Sequence, residues 1–215
     1  MSRIELRSVT KKFNSQNVLS SINQVFDEGC IHGVTGRNGS GKTVLFKIIC
    51  GLTPPSSGEV IIDGKRIGRD IDVPPSIGAI LNEPGFIPTL NGFKNLELLA
   101  RINGKIGKNE IYAVLETVGL ETSHRKYLGK YSKGMRQRLG IAQALMEQPR
   151  LLVLDEPFSG LDDAGVKHIR DVLMHQRAMG VTILLSSHNT EDIEMLCDHE
   201  YYIDAGIMIK KPKSA

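Results

Sequence analysis

The chain has 215 residues, a formal net charge of +3 and 40% hydrophobic residues, enough for one compact domain with a sizeable core and too many for a disordered chain. With no Trp and only 5% aromatic residues it has few stacking platforms, and its charge excess is small, so no nucleic-acid partner is expected. Cys30, Cys50 and Cys197 form no C-x-x-C pair and are expected to be reduced core thiols.

The opening "MSRIELRSVTKKF" is interrupted by charges and has no apolar h-region, so no signal peptide is expected. Stretches 3–9, 17–26 and 58–63 are rich in β-branched residues and separated by turn residues, which predicts an antiparallel β layer. A short strand at 30–35 feeds a glycine-rich turn, and a helix over 42–51 ends at Gly51 before "TPPSSG". From 89 to 148 the pattern turns helical, with Phe93, Leu96, Leu99 and Ile102 at a spacing of three and further helices at 109–118 and 134–147. After Pro149, strand and helix alternate: 151–155, 164–178, 181–186, 190–197 and 200–204. The reading is a single α/β domain over 1–215, with a core at 1–85 and 149–215 and an inserted helical lobe at 86–148. No apolar run reaches the length of a membrane span, so membrane contact is expected only through a partner.

The stretch "CIHGVTGRNGSGKTVLFKIIC", 30–50, carries the chemistry. Gly36 to Thr43 fits G-x-x-x-x-G-K-[ST], a strand–loop–helix frame that aims backbone N–H groups and a helix dipole at one anion. Asn38, Gly39, Ser40, Gly41, Lys42, Thr43 and Val44 are therefore the expected phosphate-binding residues. Lys42 supplies a cation for the β- and γ-phosphates, and the Thr43 hydroxyl is a candidate Mg²⁺ ligand. A carboxylate partner for that metal comes from Asp155, at the end of the apolar run in "LLVLDEP" (151–157). Glu156 follows it. Strand alternation turns Glu156 the other way, a rule that loosens at a strand's end, and a second carboxylate there suits polarisation of an attacking water.

Together these motifs resemble the nucleotide-binding subunit of an ABC transporter, over nearly the whole chain. "GRNGSGKT" is similar to Walker A, and "LLVLDEP" to Walker B with Glu156 as the catalytic glutamate. "YSKGMRQRLGIAQALM" (131–146) is similar to the signature and its helix, "SGLD" (159–162) to the D-loop, and "LLSSH" (184–188) ends in His188 at the switch-histidine position. Phe13 matches the aromatic that stacks on adenine. The resemblance implies a P-loop NTPase, RecA-like core with an N-terminal antiparallel layer and an inserted α-helical lobe. It implies ATP and Mg²⁺ as cofactors, and Ser132 and Gly134 facing the γ-phosphate held by the other subunit. An N-K-x-D base-reading motif is missing, which argues against a Ras-class GTPase.

Two features depart from the family pattern. Lys133 and Met135 replace glycine and glutamine in the signature, and Asn82, with Glu83 beside it, occupies the metal-side Q-loop glutamine position. The following "IPTLNGFKNLELLARI" (87–102) looks like bacitracin-resistance and lantibiotic-immunity exporter ATPases. By resemblance the chain pairs head-to-tail, as a homodimer or with a paralogous subunit, and drives a separate transmembrane permease docked around 82–100. It works on the cytoplasmic face of the cell membrane, for export of an antimicrobial peptide or drug. A rival reading is a soluble ABC-type ATPase acting as a nucleotide-gated clamp in DNA repair or translation. Such proteins usually carry a long coiled-coil insertion or tandem cassettes, and neither fits this length. A second rival, a nucleotide-binding regulator without hydrolysis, leaves Glu156 without a purpose.

Overall fold

The computed structural model describes residues 2–14, 16–81, 85–120 and 126–212. Asn82 and Glu83 lie outside that set. Strands β1 (Ile4–Phe13) and β2 (Gln16–Phe26) form an antiparallel hairpin, with alternation turning Ile4 and Leu6 inward and an irregularity at Ser8 (φ +50°) shifting the inward face to Val9. The short β3 (Ile31–Thr35) leads through the glycine loop into α1 (Lys42–Ile49). β4 (Ser57–Ile62) pairs antiparallel with β1, and β5 (Lys65–Arg66) closes a four-stranded sheet of order β2-β1-β4-β5. This is the expected N-terminal antiparallel layer.

β6 (Ile77–Ile80) precedes three lobe helices, α2 (Gly92–Asn103), α3 (Lys108–Thr117) and α4 (Lys133–Leu145). Local signals fix two of their ends: Asn91 accepts a capping bond from the Lys94 N–H at 2.8 Å, and Gly104 closes α2 at φ +64°. β7 (Leu151–Leu154), α5 (Asp163–Ala178), β8 (Thr182–Ser186), α6 (Thr190–Leu196), β9 (His199–Asp204) and β10 (Ile207–Lys211) complete the chain. The second sheet runs β10-β9-β3-β8-β7-β6, parallel except for β10 on its edge. Its central strands β7 and β8 are buried at every residue, which is why they read as unbroken apolar runs.

Three of these strands went unread in the sequence, the two-residue β5 and the longer β6 and β10. β6 is four residues long and includes Gly78, where an added Cβ would stand 1.9 Å from the Ala144 carbonyl of α4. The glycine that weakens its strand signal is what lets α4 lie against the sheet. One apolar cluster lies between the two sheets around Phe26, Phe46, Ile62 and Tyr201. The other joins Leu96, Ile111 and Leu139 of the lobe to Leu152 and Leu185 of the parallel sheet. The three cysteines are free thiols, and burial pushes Cys50 and Cys197 up to about 12. Among the described residues no helix is long and apolar enough to cross a membrane.

Candidate functional site

The order β3-β8-β7 sets three parallel carboxyl ends side by side, the place where open α/β sheets bind ligands. The glycine loop leaves the first of them. At Gly36 (φ +149°) an added Cβ would meet the Ile203 carbonyl at 2.2 Å, and at Gly41 (φ +110°) it would meet Leu19 Cδ2 at 2.7 Å, so neither position takes a side chain. Around Gly39 an added Cβ has nothing within 4 Å, which leaves the approach to the backbone open. α1 starts on Gly41 with no side-chain cap, presenting bare N–H groups. Lys42 is buried, and its Nζ donates to the Gly36 carbonyl at 2.7 Å and the Arg37 carbonyl at 3.2 Å. Ser40 Oγ is buried with no hydrogen-bond partner among the described residues. A pocket of about 270 Å³ opens here, lined by Asn38 to Val44 with Val18, Asp155, Glu156 and His188.

The carboxylates arrive from the end of β7. Asp155 accepts from Thr43 Oγ1 on one oxygen and from Ser186 Oγ at 2.6 Å on the other. The same Ser186 oxygen accepts the Glu156 N–H at 2.9 Å, so the end of β8 holds both acidic residues. Glu156 sits at φ +52°, a left-handed backbone that a non-glycine residue adopts at a cost. This turn cancels the strand alternation and brings both carboxylates into one pocket. Gln137 of α4 braces it from behind, donating to the carbonyls of Glu156 at 3.2 Å and Pro157 at 3.0 Å. Burial pushes the Glu156 carboxyl above its ordinary range, His188 pulls it back, and the neighbouring Asp155 charge adds to the rise. His188 Nε2 stands 3.0 Å from Glu156 Oε1, an ion-pair distance when the imidazole is protonated.

Asn38 to Val44, Asp155, Glu156 and His188 thus converge. Three other expected residues lie apart. Ser132 caps α4, accepting the Met135 N–H at 3.1 Å, and Gly134 packs on the D-loop, where an added Cβ would stand 2.7 Å from the Gly160 carbonyl; neither lines the loop pocket. Phe13 is 49% exposed at the end of β1, with Lys11 Nζ 5.0 Å from its ring centroid. It is therefore no core residue. Asn82 lies outside the described residues. Sequence reasoning missed Ser186 and Gln137. The signal for Ser186 was a polar residue closing an apolar strand; for Gln137, on a helix of many polar residues, there was none.

Comparison with known proteins matches residues 19–159 to the family model described as ABC transporter. The "Uncharacterized ABC transporter ATP-binding protein YybJ" of Bacillus subtilis (strain 168) is 40% identical over 195 residues, covering 91% of this chain and 89% of that one. The "Bacitracin transport ATP-binding protein BcrA" of Bacillus licheniformis is 41% identical over 211 residues, covering 97% of this chain and 69% of that one. Among solved structures, a dimer of the ATP-binding cassette MJ0796 in a post-hydrolysis state with ADP and Pi superposes with a TM-score of 0.88, at 23% identity over 99% of both chains. At that identity the likeness concerns the fold.

Proposed function

We propose a function from one premise: the chain belongs to the ABC transporter family, as an ATP-binding and ATP-hydrolysing subunit. The subunit works on the cytoplasmic face of the membrane with a transmembrane permease as its partner, and two ATPase subunits, identical or paralogous, close head-to-tail around two ATP molecules. The cargo class is an antimicrobial peptide or drug moved outward, a reading supported by the similarity to a bacitracin transport protein. The clamp in DNA repair or translation has no support among these relatives.

One observation carries the hydrolytic reading. Thr43, Asp155, Glu156 and His188 meet at the mouth of the glycine loop, with Ser186 holding the Asp155 carboxylate and the Glu156 backbone N–H. The residues fit a polyphosphate, since the loop offers bare N–H groups, a buried ammonium and the orphaned Ser40 hydroxyl. They also fit Mg²⁺, because Thr43 Oγ1 and the Asp155 carboxylate are hard oxygen donors already in contact. When bound, Mg²⁺ neutralises phosphate charge.

In this reading Lys42 and the α1 N-terminus bind and orient the phosphates, and Glu156 accepts a proton from the attacking water. Its burial suits that task by keeping the carboxylate short of solvent and raising its basicity. His188 fixes the Glu156 carboxylate from the solvent side. Phe13 stacks on the base, Asn82 serves the metal side, and Ser132 and Gly134 act on the nucleotide of the opposite subunit. Asp155→Asn should abolish Mg²⁺-dependent ATP turnover by the purified protein while nucleotide still binds without metal. Undiminished Mg²⁺-dependent turnover in that variant would overturn the assignment.

A further inference from the structure

Away from the pocket, α5 and α6 share a buried charge pair that the hydrolytic reading does not use. Asp192 of α6 is 2% exposed, and its Oδ1 accepts from Arg170 of α5 at 3.0 Å (Nε) and 2.6 Å (Nη2). Its other oxygen, Oδ2, accepts from Ser187 Oγ at 2.7 Å. The Ser187 oxygen in turn accepts the Asn189 N–H at 3.1 Å, and Asn189 caps α6 by accepting the Glu191 N–H at 2.9 Å. Ser187 and Asn189 are the two neighbours of His188 in the chain. The imidazole is therefore flanked on both sides by residues fastened, directly or through one hydroxyl, to Asp192.

We propose that the Arg170–Asp192 pair, acting through Ser187, is the positioning device that holds His188 at Glu156. The proposal rests on the reading that His188 serves turnover. Buried ion pairs are poor sources of net stability, so this one is better understood by what it orients. A pair that served only to fasten α6 onto α5 would be complete with Arg170 and Asp192, which leaves unexplained why the second Asp192 oxygen reaches the residue before His188. α5 begins directly after the D-loop, with Asp162 accepting the Gly165 N–H at 2.9 Å as its cap. Displacement of the D-loop along α5 would thus reach His188 through Arg170.

The test separates positioning from anchoring with two single variants. Ser187→Ala leaves the ion pair whole, and Asp192→Asn removes its charge. Steady-state ATPase of each should show kcat lower by roughly tenfold with KM within about twofold, since misplacement affects the transition state rather than nucleotide binding. Ser187→Thr, which keeps the hydroxyl, should restore most of the rate. In a His188→Ala background neither change should lower kcat further. Should Asp192→Asn fail to fold, the paired variant Arg170→Met with Asp192→Leu removes both charges and should show the same kcat loss. Unchanged kcat in Ser187→Ala, or losses that multiply with that of His188→Ala, would overturn the positioning role alone. Wild-type turnover by His188→Ala would instead remove the role of His188 and this proposal with it.

Discussion

His188 Nε2 lies 3.0 Å from Glu156 Oε1, joining the segment after β8 to the segment after β7 across the mouth of the glycine loop. The contact places the candidate base between a histidine and the half-buried Asp155, with its own backbone turned left-handed. Glu156→Gln keeps the shape and removes the proton acceptor. ATP affinity should stay within about twofold of wild type, and turnover should fall by at least ~100-fold. ATP should then hold the variant as a dimer in size exclusion. Turnover near wild type would move the base elsewhere.

Ser132 and Gly134 lie outside the loop pocket of their own chain, and the proposed head-to-tail dimer has them act on the second subunit's nucleotide. Mixing Lys42→Ala chains with Ser132→Arg chains creates heterodimers in which one composite site is damaged twice and the other keeps its native residues. ATPase of the mixture should exceed that of either variant alone, up to about a quarter of wild type if the sites fire independently and chains pair at random. A mixture no more active than its components at every ratio would count against sites shared in this way.

Gln137 is the only described side chain outside β8 hydrogen-bonded to the Glu156 main chain, through its bonds to the carbonyls of Glu156 and Pro157. Gln137→Leu removes both donors at similar volume. Urea unfolding should show a loss of about 1–2 kcal/mol, the usual scale for two part-buried hydrogen bonds. Because these bonds hold the left-handed turn, kcat should drop more than nucleotide affinity. Loss of stability with full turnover would make Gln137 a packing residue only.

His32 gives the fold a pH dependence unconnected with catalysis. It is fully buried, packed edge-on against Phe26 and stacked on His199, with Nε2 bonded to the Asp27 carbonyl at 2.8 Å. Burial pulls its imidazole down to about 4. The folded protein then refuses a proton that the unfolded chain accepts below about 6.5. The stabilisation is fully present above that pH and is lost progressively as pH falls toward 4, roughly 3 kcal/mol in all. His32→Gln should flatten this part of the stability curve in denaturant titrations between pH 7 and 4. An equal slope in both proteins would place the acid sensitivity elsewhere.

The glycine loop and the Asp155–Glu156 step were legible because their chemistry is encoded in adjacent residues, and local spacing survives any fold. The antiparallel layer was legible from alternation, as at Ile4 and Leu6. β10 was not, because Ile207 and Ile209 are more than half exposed on the edge strand and leave no buried face to produce a pattern. The positive φ of Glu156 left no trace either. It depends on Ser186 and Gln137, which are distant in sequence and meet Glu156 only after the sheet and α4 have packed.

The contact between Gly134 and Gly160 constrains how this chain can change over generations. A side chain at Gly134 would strike the Gly160 carbonyl, and one at Gly160, already at φ +77°, would strike the Lys133 side chain. Neither position drifts freely, since Gly134 is held by the Gly160 backbone and Gly160 by its own left-handed φ and the Lys133 side chain. Variation in the Lys133–Met135 stretch is therefore epistatic with the D-loop, and the residues accepted in one are filtered by the conformation of the other. Grafting a signature from a relative into this chain should succeed more often when its D-loop travels with it.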